Sequence, residues 1–222
     1  MDLIKHLEFF NPMSIEDNVH IIGLGAIGST VAEMLTRLGR SNMHFYDFDT
    51  VCSHNLANQM FFNEDIDKTK LEAIENTCKK INPDIDITLH SEGWKEKTKL
   101  SGYVFLCVDN IEIRKKIVLE NKFNPNIKAM FDFRMGLQDA QHYAANWSVD
   151  KSKEAFYDSM DFTHEEAKEA QPVSACGTTL SVIPTIRTIV SLGISNFINF
   201  VKESMLKRII LIDAFTYSIV TF

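Results

Sequence analysis

Short apolar runs and helix-period stripes alternate along the first 135 residues. Val19 to Ile22 reads as a buried strand, and Ser29 to Arg40 carries Val31, Met34, Leu35 and Leu38 at helical spacing. Met43 to Tyr46 reads as a second strand, followed by a polar connection over Thr50 to Asn63. A stripe of Leu71, Ile74, Cys78 and Ile81 marks a helix that begins near Lys68 and stops at Asn82-Pro83. Ile85, Ile87 and Leu89 alternate as a third strand, and Tyr103 to Val108 is a continuous run of the kind that buried parallel strands carry. Either Asp109 or Asn110 can cap a helix over Ile111 to Lys122, and Lys128 to Phe133 is another buried strand. Such alternation predicts right-handed βαβ units and a mostly parallel sheet.

The pattern then changes. Gln141 to Val149 suggests an additional, antiparallel strand, and residues 150–175, rich in Lys, Glu, Asp and Ser, read as a crossover loop with a short helix. Thr178 to Val201 is strongly apolar and predicts a long buried or interface helix, bent near Pro184. Ile209 to Val220 reads as one or two terminal strands. The predicted fold class is therefore α/β: a Rossmann-like, mostly parallel sheet flanked by helices, with additional antiparallel strands in the C-terminal half. A length of 222 residues suits one such domain over 1–222, with 1–17 as an N-terminal segment.

Composition narrows the function classes. A net charge of −7 with scattered lysines gives no footprint for nucleic acid. No apolar run reaches the length of a membrane span and no leader pattern opens the chain, so neither membrane nor export is expected and the cytoplasm is the expected location. Cys52, Cys78, Cys107 and Cys176 are far apart, which argues against a zinc knuckle or a disulfide framework. Cys78 and Cys107 read as core residues.

The candidate chemistry starts at the first strand. Gly23, Gly25 and Gly28 have the G-x-G-x-x-G spacing between a strand and a helix. Gly23 suits the tight turn, Gly25 the approach of a phosphate, and Gly28 close helix packing, while the helix N-terminus at Ala26 and Ile27 offers N–H donors to an anion. Asp47, at the end of the second strand, is placed to accept from a ribose hydroxyl. This much is open between NAD, FAD, S-adenosylmethionine and ATP.

The residues after Asp47 carry more. Asp47-Phe48-Asp49-Thr50-Val51, Asn55-Leu56-Ala57-Asn58-Gln59, Asp65-Ile66-Asp67-Lys68-Thr69-Lys70, Ile81-Asn82-Pro83 and Cys107-Val108-Asp109-Asn110 follow the glycine turn in order. With them the chain resembles the ThiF/MoeB/ubiquitin-activating-enzyme family of ATP-dependent adenylyltransferases over residues 18 to 135, and the segment Phe131-Asp-Phe-Arg-Met-Gly136 resembles a D-x-R-x-G segment of compact members of the phage or mobile-element type. The resemblance implies MgATP-dependent adenylation of a carboxylate, such as the C-terminal glycine of a ubiquitin-like (β-grasp) or sulfur-carrier protein or of a peptide, and a homodimer. It also implies roles. Gly23, Gly25, Ala26, Ile27, Gly28, Asp47, Asp49 and Gln59 would bind ATP, Asn55 and Lys70 would contact phosphates, and Asp109 would hold Mg²⁺. Read singly, Asp109 could equally be a helix cap, Lys70 a solvated helix residue and Asn55 a turn former.

Two positions stand out against the family pattern. Asn58 replaces an arginine of the family box, and Met1 to Asp17 has no match to the arginine-bearing N-terminal segment of many members. Arg134, at the end of a buried strand, is the candidate to supply the missing charge, with a surface pairing to Asp132 or Asp139 as the alternative. Cys176, just before the long helix, is a candidate nucleophile for a thioester that follows adenylation, or else a small residue at a tight helix entry. Two other functions remain open: an NAD-dependent oxidoreductase and a catalytically weak nucleotide-binding scaffold.

Overall fold

A computed structural model describes residues 1–169, 172–175 and 179–222. Among these, eight strands form one sheet: β1 (Val19–Ile22), β2 (Met43–Tyr46), β3 (Ile87–His90), β4 (Gly102–Leu106), β5 (Ile127–Met135), β6 (Asp139–Asn146), β7 (Ile209–Asp213) and β8 (Ser218–Thr221). Their order is β3-β2-β1-β4-β5-β6-β7-β8. The pairs from β3 to β5 are parallel, and those from β5 to β8 are antiparallel. The helices are α1 (Ala26–Arg37), α2 (Lys70–Ile81), α3 (Ile111–Glu120), α4 (Asp150–Asp158), α5 (His164–Glu169) and α6 (Ile183–Glu203).

The two faces of the sheet follow the period of two along each strand. Ile21, Phe45, Phe105 and Phe131 join Val31 and Leu35 of α1, Ile74 of α2, and Ile186, Ile189 and Phe197 of α6 in one core. Ile22, Tyr46, Val104, Leu106 and Met130 join Ile117, Val118, Trp147 and Phe156 in the other. Each fully buried aromatic or aliphatic side chain here contributes about 1.5–3 kcal/mol through removal from water.

Several boundaries differ from the sequence expectation for local reasons. The first helix starts at Ala26, directly after Gly25, and a left-handed Gly39 (φ 82°) follows its end. Thr69, not Lys68, caps α2, with its side chain accepting from the Glu72 N–H while Glu72 reaches back to the Thr69 N–H. Pro184 causes no bend, because it lies in the first turn of α6, where its missing N–H is not needed. The polar segment expected as a crossover loop forms α4 and α5; α4 buries Phe156, and Met160 just beyond it is buried as well. Among the described residues no helix is long and apolar enough to cross a membrane.

Candidate active site

A cavity of about 1070 Å³ opens at the carboxyl ends of the parallel strands, where open α/β sheets take ligands. Its walls include Gly23 after β1, Asp47 after β2, Asp109 after β4 and Arg134 near the end of β5.

The glycine turn is built for close backbone approach. Gly23 has φ 92° and donates its N–H to the Tyr46 carbonyl at 2.9 Å. A Cβ at Gly28 would lie 1.8 Å from the Gly23 carbonyl oxygen, so only glycine allows α1 to start there. A Cβ at Gly25, by contrast, would meet nothing within 4 Å, and no side chain caps the helix that Gly25 opens. The N-terminal N–H groups at Ala26 and Ile27 thus border the cavity without a side-chain acceptor, an arrangement suited to an anion.

Asp47 braces this turn. One of its carboxylate oxygens accepts from the Leu24 N–H at 2.6 Å and the other from the Asp49 N–H at 2.9 Å. Lys70, the first residue of α2, is buried on the cavity wall and pairs with Asp49 at 2.7 Å. Asp109 is exposed at the end of β4 and is not the cap of α3, since the Asn110 side chain accepts from the Glu112 and Ile113 N–H groups. Its carboxylate has no partner among the described residues.

The amide box is arranged differently from the expectation. The Asn55 amide oxygen accepts from the Cys52 N–H at 2.9 Å and closes the 3-10 turn Ser53–Ala57; Asn55 is not on the cavity wall. Asn58 and Gln59 are on it. Asn58 donates to Ser181 Oγ at 2.5 Å, while Asn58 Oδ1 and Gln59 Oε1 are buried without a donor among the described residues. Among the described residues, five buried side-chain polar atoms lack a partner, and three of them, Asn58 Oδ1, Gln59 Oε1 and Trp94 Nε1, belong to residues on this cavity. Buried polar groups are normally paired, so this concentration makes the cavity the candidate place for a ligand.

The far wall is fully bonded instead. Asp132, buried completely, holds Arg114 at 2.5 Å with one oxygen and Arg134 at 2.7 Å with the other. Arg114 also donates to the Val108 and Phe133 carbonyls, and Arg134 to the carbonyl and hydroxyl of Ser159. The Arg134 guanidinium lies 4.1 Å from the Tyr143 ring centroid. Arg134 therefore pairs with Asp132 and also lines the cavity. Arg114 and Trp94 were not singled out from sequence. For Arg114 a signal existed: it interrupts the buried stripe Ile111, Ile117, Val118 of α3 with a charge.

Five carboxylates on the wall, Asp47, Asp49, Asp109, Asp139 and Glu166, face three cations, Lys70, Arg114 and Arg134. Burial pushes the Cys107 thiol and the Tyr46 hydroxyl far up and the Cys78 thiol up to about 11, so none of these is an anionic nucleophile. Cys176 lies outside the described residues. Among the described residues no group of three or more His, Cys, Asp or Glu is placed to hold a metal by itself.

The sequence model of the ThiF family matches residues 15–215. The chain belongs to the ThiF family. Among relatives of this ThiF chain, ubiquitin-like modifier-activating enzyme 5 of Gallus gallus is 35% identical over 134 residues, covering 53% of this chain and 33% of the relative. The enzyme of the same name from Dictyostelium discoideum is 37% identical over 134 residues, covering 53% and 34%. The ThiF chain thus spans about a third of the length of these curated relatives. Among solved structures, PaaA superposes with a TM-score of 0.68 at 12% identity, covering 93% of this chain and 64% of that one. E. coli MccB with ATP gives 0.67 at 16%, with the same coverage. At these identities the solved structures establish the ThiF fold, a mostly parallel sheet with antiparallel strands toward its C-terminal end.

Proposed function

We propose that this chain uses MgATP to adenylate a C-terminal carboxylate, that of a peptide or of a ubiquitin-like or sulfur-carrier protein. The observation that carries the reading is the convergence of the glycine turn, Asp47, Lys70 and an unpartnered Asp109 on one cavity of a ThiF-family chain. Relatives support the choice of substrate: two are named as activating enzymes for ubiquitin-like modifiers, and MccB has been solved with AMPCPP together with MccA.

In the reaction a carboxylate oxygen attacks the α-phosphorus, the bond from that phosphorus to the α,β-bridging oxygen breaks, and pyrophosphate leaves an acyl-adenylate behind. Gly25, Ala26 and Ile27 offer backbone N–H groups to the phosphates, and Asp47 accepts from the ribose. Lys70 neutralises charge that develops on the leaving pyrophosphate. Asp49 keeps the Lys70 ammonium in position, and Gln59 offers a buried acceptor. Arg134 supplies the cation missing at Asn58, and Asn55 acts through the turn that carries Asn58 and Gln59. A single free carboxylate suits Mg²⁺, which takes one or two carboxylates and fills its shell with phosphate oxygens and water, so Asp109 would hold it. When bound, the ion supplies charge neutralisation that a wall richer in carboxylates than in cations lacks.

A later thioester, formed when Cys176 Sγ attacks the acyl-adenylate carbonyl and AMP leaves, is a finer part of the proposal. So are a cytoplasmic setting, the organisation of 1–222 as one adenylation domain, and a homodimer; the apolar side chains exposed at the β8 edge, Ile219, Val220 and Phe222, support the dimer. A nucleotide-binding scaffold is the second reading, favoured by the Asn58–Ser181 bond, which engages the amide at the family's arginine position. ATP–pyrophosphate exchange tests the first against the second. Exchange driven by a pool of peptides with free C-termini, and lost when the pool is amidated, is the expected result; exchange indifferent to amidation would sink the adenylation reading.

A further inference from the structure

Past Asp47 the cavity continues into an apolar slot. Its walls are Phe48 after β2, Gly93 and Trp94 after β3, and Val108, Ile111 and Ile113 across the β4–α3 connection. In the strand order, the glycine turn stands on β1, Asp47 on β2, and Trp94 one strand further out, after β3. A nucleotide with its phosphates at the turn and its ribose at Asp47 carries its base toward this slot.

The two tryptophans of the chain differ in one respect. Trp147 is buried and donates its Nε1–H to the Asn121 carbonyl at 2.8 Å. Trp94 Nε1 is equally shielded from water but has no acceptor among the described residues. A buried indole N–H normally finds a partner, and leaving one unpaired is costly. Gly93, in a left-handed conformation at φ 68°, leads into Trp94, and a Cβ there would meet the Phe48 ring at 3.0 Å, so the three residues form one packed corner.

Resting on the nucleotide reading above, we propose that Trp94 reads the base: the edge of its indole meets the edge of the purine, and its N–H donates to a purine ring nitrogen. A small turn of the indole brings the donor onto the base. Phe48, largely exposed without ligand, gains a stacking partner. Lys70 and Asp109 hold the phosphate end, so the base contact tunes affinity and leaves the chemical step to them.

Calorimetric titration of the full chain with MgATP tests this. Trp94→Phe keeps an aromatic side chain but removes the pyrrole ring with its N–H, and it weakens ATP binding by about threefold to tenfold, most of it the loss of one hydrogen bond. The deciding arm repeats the comparison with 1-deaza-, 3-deaza- and 7-deaza-ATP. The Trp94→Phe penalty falls severalfold for the one analogue that lacks the accepting nitrogen and persists in full for the other two. The ATP-induced change in tryptophan emission is lost in Trp94→Phe although Trp147 remains. Equal ATP affinity of the two proteins, or one penalty shared by ATP and all three analogues, overturns the proposal while leaving the nucleotide reading standing. Absence of any ATP binding by the wild-type chain overturns both.

Discussion

The near and far walls of the cavity are bonded in opposite ways. On the near wall, at the ends of β1 to β4, Asp109, Asn58 Oδ1, Gln59 Oε1 and Trp94 Nε1 lack partners among the described residues. On the far wall, beside β5 and β6, Asp132 clamps Arg114 and Arg134, Ser159 holds Arg134, and the Tyr143 hydroxyl donates to Gln141. Incomplete bonding is a liability for a folded chain unless a ligand repairs it, and complete bonding fixes geometry before the ligand arrives. On the proposed function, the near wall would be where binding energy is gained and the far wall a preformed support.

That contrast breaks if substitutions on the two walls have the same kind of effect. The largest expected effect is on the far wall: Asp132→Ala strands two buried guanidiniums and costs about 3–5 kcal/mol of folding stability, read by urea unfolding. Next, Asp109→Ala leaves stability within about 0.5 kcal/mol, because the carboxylate has no partner to lose among the described residues, yet lowers pyrophosphate exchange by about 100-fold or more. Asp109→Ala unfolding the chain, or Asp132→Ala leaving it untouched, would erase the distinction.

A smaller effect sharpens it through pH. His142 lies against the far wall, with its Nδ1–H donating to the Asp132 carbonyl and its Nε2 accepting from Asn196 Nδ2, both near 3.1–3.2 Å. Burial holds it neutral, with a pKa pushed down to about 4; His20, between the Tyr46 hydroxyl and the Ser101 N–H, is pushed down to about 3. Unfolding lets both imidazoles take up protons near pH 6.5, so their contribution is complete above that value and is lost as pH falls toward 4. Melting temperature is expected to stay level from pH 7 to 8 and to fall between pH 6.5 and 4. The decline is shallower in His142→Asn.

The two walls also differ in how far the sequence revealed them. The near wall is read from local spacing: a glycine turn must follow a strand, and Asp47, Lys70 and Asp109 stand at strand ends or a helix start that the apolar pattern marks. Asn55 belonged to the same pattern, but the backbone claims its amide oxygen in a tight turn that periodicity does not show. The far wall is made by contacts between distant segments. Asp132 meets Arg114 across a strand and a helix, and Arg134 meets Ser159 beyond β6, so no spacing rule announces them. Pro184 misled for a related reason: its effect depends on whether it opens a helix or interrupts one, and the apolar run before it obscured the true start.

The central claim is that this cavity joins a carboxylate to AMP, and the path of an oxygen atom tests it most directly. Peptides with free C-termini labelled with ¹⁸O in the carboxylate are incubated with the chain and MgATP, the products are cleaved with a thiol or hydroxylamine, and the released nucleotide is weighed by mass spectrometry. The account predicts AMP carrying one ¹⁸O from the peptide, formed by wild type and strongly reduced in Lys70→Ala. Unlabelled AMP, or ADP with labelled phosphate, would contradict it.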